Sequence, residues 1–384
     1  MNLRPYQEPA VAWLSRRRRG IVEAPAGSGK TVMAAAALHR VLTAVPRSRK
    51  ARVGWMANTL EQCRQADEAL AMFPDIRQPG SGAGLATVTV RCAAAGTDWS
   101  DRDVLVVDEC HHGPAPEWRR QIETCSWARW GLTATPDFEG DGADSKARAL
   151  VELFGPDRFK VERDGIGLAK ARVVVMDASD PVKDEIDAAI QRLYRARLRF
   201  WRGDTGKLWS MAAWQACVEV GIVGNQSRTE AALRVARAHA AAGASVLVLV
   251  NQVEHAKAFA AAVPGAVACY SGMGAKARRH AIYDFKNGKL RCLVATSLAD
   301  EGLDVPRANV LVLVSGGRSA AKAEQRTGRV LRQFAGKEHA VIYDFADRQH
   351  PLMEKHAAAR QAVYRRLGYE VLPAKRVDEL PGVG

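Results

Sequence analysis

The chain has 384 residues, long for a single core, so two domains are the default. Hydrophobic residues make up 47%, which excludes general disorder. An excess of 56 Lys and Arg over 42 Asp and Glu, a net charge of +14, favours a polyanionic partner, most simply nucleic acid, although an Arg-rich composition also scatters arginines for no local reason.

Seven cysteines occur without a C-x-x-C pair, which argues against disulfides and structural zinc and suits a reducing compartment. The N-terminus has no apolar run like a signal peptide and no stretch is long enough to span a bilayer, so a soluble intracellular protein is expected.

In chain order, Leu3-Arg4-Pro5-Tyr6-Gln7 leads into a helical pattern carrying Ala10, Val11, Trp13 and Leu14. A Gln just ahead of a phosphate loop can bond both N6–H and N7 of adenine, because its amide holds donor and acceptor together; a plain helix-start Gln is the alternative. Arg16 to Arg19 then read as cations at a helix C-terminus, or as a nucleic-acid contact.

Gly20-Ile21-Val22-Glu23 reads as a strand, and residues 32–42 as an Ala-rich helix. Between them, Ala24-Pro25-Ala26-Gly27-Ser28-Gly29-Lys30-Thr31 is a Gly-rich turn in the setting a P-loop requires, with Ala24 standing where the usual pattern has Gly. Gly27 and Gly29 let backbone N–H groups turn around an anion, the helix N-terminus adds its dipole, Lys30 supplies charge for the β/γ-phosphates, and the Thr31 hydroxyl can ligate Mg²⁺.

Residues 52–57 read as the next strand, and Asn58 or Thr59 can cap the helix that follows to about Met72. Residues 74–84 are a Gly/Pro-rich loop, and 87–92 alternate like a strand. Residues 103–109, Asp-Val-Leu-Val-Val-Asp-Glu, are a buried strand ending in two carboxylates. After a P-loop, Asp108 is placed to hold Mg²⁺ through water and Glu109 to orient and deprotonate the attacking water. Cys110-His111-His112 could suggest a metal, but the neighbouring residues argue otherwise.

Thr133 and Thr135, in the strand-to-turn stretch 130–136, can bond the carboxylate strand on one side and nucleic acid on the other. Residues 137–145 are acidic and Gly-rich, a loop, and 172–177 form a strand at the junction of the halves. Residues 184–221 are then helical in pattern, with Arg192, Arg195, Arg197, Arg199 and Arg202 among Tyr194, Phe200, Trp201, Trp209 and Trp214. Basic side chains that track phosphates among aromatics that stack on bases would suit a nucleic-acid contact; aromatics at helical spacing also suit a core.

The second half restarts a strand–helix alternation, with strands at 245–250, 267–270, 290–296 and 309–314 and helices at 254–262 and 275–287, which gives a parallel sheet covered on both faces. It has no second P-loop, so the nucleotide is expected between the halves. Residues 324–332, Glu-Gln-Arg-Thr-Gly-Arg-Val-Leu-Arg, put Arg326, Arg329 and Arg332 on roughly one helical face, the pattern of a transition-state clamp on a γ-phosphate. A basic amphipathic helix from Pro351 to Leu367 and the stretch 369–372 follow, read only as packing.

Taken in order, the stretches 3–7, 24–31, Asp-Glu-Cys-His-His at 108–112, Thr-Ala-Thr-Pro at 133–136, Ala-Thr-Ser-Leu-Ala-Asp-Glu-Gly-Leu-Asp-Val-Pro at 295–306 and Gln-Arg-Thr-Gly-Arg-Val-Leu-Arg at 325–332 resemble superfamily-two helicases over nearly the whole chain. The Asp-Glu-Cys-His box looks most like the group of XPB-like helicases, restriction-enzyme motor subunits and phage recombination helicases, and less like the DEAD-box RNA group.

The resemblance implies an α/β fold of two tandem RecA-like domains, at 1–170 and 226–384, joined by a junction strand and helical insertion at 171–225. It implies ATP and Mg²⁺ as cofactors. Gln7 would read adenine with Arg4 nearby, while the loop Ala26, Gly27, Ser28 and Gly29 cradles phosphate. Lys30, Thr31, Asp108 and Glu109 would run hydrolysis. His111, Thr133, Thr135 and Gln325 would couple nucleotide to strand, Gly302 and Asp304 would sit by the ribose or phosphates, and Arg329 and Arg332 would be arginine fingers. Asn58, Thr59, Arg91, Gln252 and Thr296 are strand contacts by position.

The expected activity is an ATP-driven DNA helicase or translocase stepping 3′ to 5′, in the cytoplasm of a bacterial or phage-infected cell and associated with the nucleoid. Either a protein partner would supply substrate specificity or the chain would act on simple substrates. The same engine on RNA, or a nucleotide-gated duplex clamp that does not unwind, are the alternatives.

Overall fold

A computed structural model describes residues 3–44, 49–76, 84–134, 142–162, 166–178, 180–270, 272–296, 303, 305–317, 320–332 and 334–376. The chain divides into two compact units, Met1–Gly167 and Leu168–Gly384. Each is built on its own parallel sheet.

In the first unit α1 (Gln7–Leu14) precedes β1 (Arg19–Glu23), α2 (Lys30–Ala44), β2 (Ala51–Ala57), α3 (Leu60–Ala71) and β3 (Ala86–Cys92). Then come β4 (Val104–Asp108), α4 (Pro116–Thr124), β5 (Ala128–Thr133), α5 (Ala143–Phe154) and β6 (Arg158–Lys160). The six strands lie in the order β3-β2-β4-β5-β1-β6, each adjacent pair parallel.

β4 and β5 are buried along their whole length; β4 reads as a continuous apolar run up to Asp108, as strands covered on both faces do, while β5 also buries Arg129, whose Nε donates to the Cys125 carbonyl at 2.6 Å. α3 starts at a capping box. The Thr59 hydroxyl accepts from the Gln62 N–H at 3.2 Å, and the Gln62 side chain accepts from the Thr59 N–H at 3.2 Å and the Asn58 N–H at 3.1 Å.

The second unit opens on β7 (Lys170–Asp177), α6 (Lys183–Leu198) and α7 (Thr205–Ala216), which runs into a π-helical turn at Cys217–Val223. It continues with α8 (Gln226–Ala241), β8 (Val246–Leu249), α9 (Val253–Ala262), β9 (Val267–Cys269), α10 (Ala275–Lys286), β10 (Cys292–Ala295), β11 (Val310–Leu313), α11 (Ala320–Leu331), β12 (His339–Phe345), α12 (Pro351–Arg366) and β13 (Glu370–Arg376). Seven parallel strands lie in the order β13-β7-β12-β11-β8-β10-β9. The junction strand β7 thus belongs to the second sheet. The tail that the sequence marked only as packing supplies its edge strand, β13.

One face of the second sheet packs Leu247, Leu293 and Leu311 with Phe285 of α10, and the other packs Val246, Val294 and Val312 with Phe259 of α9. α6 and α7 form a separate small core of Ile186, Ile190, Ala213 and Cys217 against Met353 of α12. In parallel sheets with every loop folded this way, the carboxyl ends of the strands are where ligands are met.

Candidate active site

In the first unit, β1, β4 and β5 deliver their last residues to one edge. β1 ends at Glu23 and enters the turn 24–29, β4 ends at Asp108, and β5 ends at Thr133, paired with Glu23. The turn is fastened to the sheet by the Ala24 N–H, which donates to the Thr133 carbonyl at 3.0 Å. Gly27 and Gly29 have φ of 85° and 82°, a region glycine enters without strain and the one that lets successive N–H groups face a common centre.

The conformation of this turn is held from behind by α1. The Tyr6 hydroxyl donates to the Ser28 carbonyl at 2.9 Å, and Gln7 Nε2 donates to the same oxygen at 3.0 Å. Gln7 Oε1 accepts from the Arg4 N–H at 3.0 Å, and Gln7 is buried. A Cβ on Gly29 would stand 2.7 Å from Gln7 Nε2, so the glycine serves close packing as well as its φ. Gln7 therefore spends one donor and one acceptor on the chain itself, and the other N–H and lone pair of its amide are what a base could use. The role of Tyr6 was missed from the sequence, although it stands within the quoted motif.

Lys30 opens α2, and its Nζ donates to the Ala24 carbonyl at 3.0 Å. Its charge reaches the carboxylates of β4. Burial pushes the Asp108 carboxyl up to about 7, with Glu109 adding to the rise and Lys30 and the Glu109 N–H opposing it. Glu109 has φ 51°, a left-handed conformation uncommon outside glycine, and its N–H donates to Asp108 Oδ1 at 3.0 Å. Asp108 thus stays buried at the end of the strand, and the left-handed backbone of Glu109 turns the chain immediately after it.

Next to them His111 Nδ1 lies 3.1 Å from Thr133 Oγ1 and 3.4 Å from Glu109 Oε2. Burial, the His112 ring and Lys30 hold its pKa down at about 3, so at neutral pH this is a neutral imidazole that shares a hydrogen bond with Thr133 and lies beside Glu109, not an ion pair. His112 stacks on His111 at 4.2 Å and on Trp118 at 5.2 Å. Cys110 is buried with its thiol pushed well up by burial, and it faces Gly131, where a Cβ would come within 2.8 Å of its sulfur.

These residues fit a magnesium-bound triphosphate. The Ser28 hydroxyl is buried with no hydrogen-bond partner, the turn offers glycine-shaped N–H groups at the start of a fifteen-residue helix, and a carboxylate held near 7 beside a second carboxylate gains from a cation. Thr31, in the first turn of α2, stands next to Lys30.

At the same edge, one strand further on, Asn58 and Thr59 follow β2, and Arg91 is next to last on β3 and exposed. The Asn58 carbonyl accepts from the Cys92 thiol at 3.0 Å.

In the second unit, Gln252 occupies the N-cap position of α9 without a side-chain cap bond, and Thr296, buried, follows β10 directly. Arg329 is buried, and its Nη1 donates to the Leu303 carbonyl at 2.7 Å. Lys337, which the sequence did not single out, donates to the Pro306 and Ala308 carbonyls; burial, and the charge of Arg332 nearby, push its pKa down to about 8. The segment around 303–308 is therefore held by two cations from α11 and the loop after it. Arg332, just past α11, is half-buried. Thr135, Gly302, Asp304 and the side chain of Gln325 lie outside the described residues.

A second buried network organises this unit. Arg360 of α12 donates to both Asp344 oxygens at 2.8 and 2.9 Å, to Asp347 Oδ2 at 2.9 Å and to the Gly317 carbonyl at 2.8 Å. Arg228 of α8 bonds the other Asp347 oxygen and the Val314 carbonyl, and its guanidinium lies 3.8 Å over the Phe345 ring. Periodicity gives no sign of these partners, which are far apart in the chain.

With this geometry in view, the chain is similar to two domain families. The helicase conserved C-terminal domain matches residues 228–333, and the type III restriction enzyme res subunit matches 1–81 and 94–138, together more than half of the chain. The chain belongs to superfamily two of the helicases.

Among relatives, this helicase is 27% identical to the putative DNA 3′-5′ helicase Rad25 of Haloarcula marismortui, over 89% of this chain and 52% of that protein. It is 25% identical to the DNA 3′-5′ helicase XPB of Kineococcus radiotolerans, over 98% and 65%, and 24% identical to the DNA 3′-5′ translocase XPB2 of Sulfurisphaera tokodaii, over 87% and 79%. It thus spans about half the length of the Haloarcula relative.

In fold it is similar to S. cerevisiae Dbp5 bound to RNA and ADP BeF3, with TM-score 0.60 and 14% identity over 98% of this chain and 90% of that one. The Hef helicase domain of Pyrococcus furiosus gives 0.52 and 17% over 90% and 96%. The two sheets are accordingly two RecA-like domains, the expected fold class. Among the described residues, no helix of this helicase is long and apolar enough to cross a membrane.

Proposed function

We propose that this chain is an ATP-driven motor on DNA, moving along one strand 3′ to 5′. The observation that carries the catalytic half is the convergence of Lys30, Asp108, Glu109, His111 and Thr133 on the carboxyl edge of the first sheet. The relatives' names, DNA 3′-5′ helicase and translocase, support the substrate and direction.

Magnesium-bound ATP supplies the scissile phosphoanhydride bond and part of the charge neutralisation there. The chain's own groups do the rest. Loop N–H groups and Lys30 bind the phosphates, Thr31 and Asp108 hold the cation, and Glu109 orients a water and takes its proton. Neutral His111 holds Glu109 against Thr133, so a change at the carboxylate is felt at the end of β5, next to the residues that would face a strand. Arg329 and Arg332 are the candidate fingers for the γ-phosphate, and the candidate strand contacts are Asn58, Thr59 and Arg91 on the first unit and Gln252 and Thr296 on the second.

Lys30→Ala should abolish ATP turnover while leaving strand binding mostly intact; unchanged turnover would refute the site. Stimulation of wild-type turnover by single-stranded DNA, duplex DNA and RNA in parallel reads the substrate class. Displacement of a strand annealed at either end of a single-stranded track reads direction.

A further inference from the structure

The second unit holds an open cavity of about 820 Å³ whose lining, Thr296 apart, has no part in the roles above. We propose that it receives one unpaired nucleobase turned out of the strand, stacked on Trp209. This rests on the nucleic-acid reading above and adds a site to it.

One wall of the cavity is the helical pair. Trp209 and Trp214 of α7 line it, the first half-exposed and met edge-on by Tyr194 at 5.1 Å, the second packed against His356 at 4.9 Å. Both indoles are braced before any ligand arrives, so little side-chain freedom is lost on stacking. The facing wall is the turn after β11, where Gly316 and Gly317 have φ of 59° and 110°. A Cβ at Gly317 would meet nothing within 4 Å, so the absent side chain leaves open space.

The carbonyls of that turn are already satisfied, Gly316 by Arg326 at 3.0 Å and Gly317 by Arg360 at 2.8 Å, so this wall presents a flat backbone without unmet acceptors. A few polar groups remain to read an edge. Ser315 Oγ is buried without a partner, and Asn251, whose Nδ2 donates to the Ser315 carbonyl at 2.8 Å, keeps its Oδ1.

An aromatic wall, a backbone wall and a small set of donors and acceptors in a space of this size is the chemistry of a flat heterocycle. The setting fits a base on a strand rather than a free one. Thr296, one of the two second-unit strand contacts expected from the sequence, lines the cavity, and so does Asn251, the residue before the other, Gln252. Turning a base out of a single strand costs little compared with a duplex.

The test uses the full chain with short single-stranded DNA carrying one 5-iododeoxyuridine, and the matching RNA with 5-iodouridine. Binding is followed by anisotropy, and photo-crosslinks are mapped by mass spectrometry. Trp209→Ala removes the stacking face, and Ser210→Trp fills the cavity from an exposed position on α7.

The expected result is a crosslink at Trp209 in the wild type and affinity lowered on the order of tenfold in both variants, the size of one lost stack. Strand binding with crosslinks confined to other segments, and affinities unchanged in both variants, would overturn the base site and leave the motor standing. A wild type that binds neither DNA nor RNA would overturn the nucleic-acid reading itself, and this site with it.

Discussion

Each unit ends a buried parallel strand in a turn built on two glycines at positive φ, Gly27 and Gly29 after β1, Gly316 and Gly317 after β11. In both, side-chain donors from another element hold the turn's carbonyls, Tyr6 and Gln7 on Ser28 in the first, Arg326 and Arg360 on Gly316 and Gly317 in the second. What differs is what stands around the turn. After Gly29 the chain enters α2 with Lys30, beside two carboxylates, and the result is the proposed phosphate site. After Gly317 the turn's surroundings are two tryptophans of α7 together with Arg326 and Arg360, whose guanidinium groups are bonded to the turn's own carbonyls, and the result is a cavity of mixed lining. The comparison teaches that the fold supplies a glycine turn at a strand end twice, and the chemistry is decided by a handful of neighbours.

Removing the reactive group from the first turn's surroundings should give the largest effect. Glu109→Gln keeps the size and left-handed backbone but loses the base, so turnover should fall by about 10²- to 10⁴-fold with ATP still bound, read by steady-state ATPase alongside a nucleotide-binding assay. Turnover within twofold of wild type would assign the base elsewhere.

The equivalent change in the second unit acts on stability. Arg360 is 3% exposed, with Asp344 and Asp347 at 1% and 2% as side chains, so Arg360→Met leaves the buried Asp344 without its cation and Asp347 with Arg228 alone, and should cost about 3–5 kcal/mol in urea unfolding. Burial pushes the Asp347 carboxyl up, but Arg228 and Arg360 outweigh it and hold it below its ordinary 3.8. Because folding lowers this pKa, the network's contribution is complete above about pH 4 and is lost as the pH falls through the depressed value. Acid titration of the wild type should therefore show the second unit weakening only below that range. Loss of stability already between pH 5 and 7 would implicate a different group.

A smaller effect sharpens how the first site is seated. Gly131→Ala on β5 would put a Cβ 2.8 Å from Cys110 Sγ and 3.1 Å from Ile21 Cγ1, an overpacking that costs about 1–3 kcal/mol and displaces the turn bearing Glu109. Adding Cys110→Ala makes room, so the pair should recover both stability and turnover; a double variant no better than Gly131→Ala would place the strain elsewhere.

These differences also explain what could be read before any coordinates. The alternation of strand and helix, and the apolar runs of β4, β8, β10 and β11, carried the two-sheet architecture, because strands buried on both faces leave unbroken hydrophobic segments. The edge proposed as catalytic was legible because its residues cluster in short contiguous motifs. Other elements were not legible. β12 (His339–Phe345) gave no signal strong enough to be marked, and α5 begins inside a stretch that reads as loop, since its buried face, Ala149, Leu150, Leu153 and Phe154, comes only in its second half. The Arg228–Asp347–Arg360 network joins residues 119 and 13 positions apart and follows from packing, which no local pattern records. The cavity likewise needs α7, β8 and β11 brought together.

Thr59 carries the smallest and most discriminating prediction, because two readings of it coexist. The sequence marked it as a strand contact, and the structure uses its hydroxyl oxygen as the cap of α3, accepting from Gln62. A hydroxyl has one proton and two lone pairs, so capping leaves the proton to donate to a phosphate, and the two roles do not compete. Thr59→Ala loses both and should cost about 1 kcal/mol of stability. Thr59→Asp caps as well as threonine does but sets a negative charge where a phosphate would lie. If Thr59 touches the strand, the aspartate variant should melt like the wild type and bind DNA several-fold more weakly, most visibly at low salt. If it binds DNA as tightly as the wild type, Thr59 is a cap alone, and the strand path over the first sheet must run nearer the exposed Arg91.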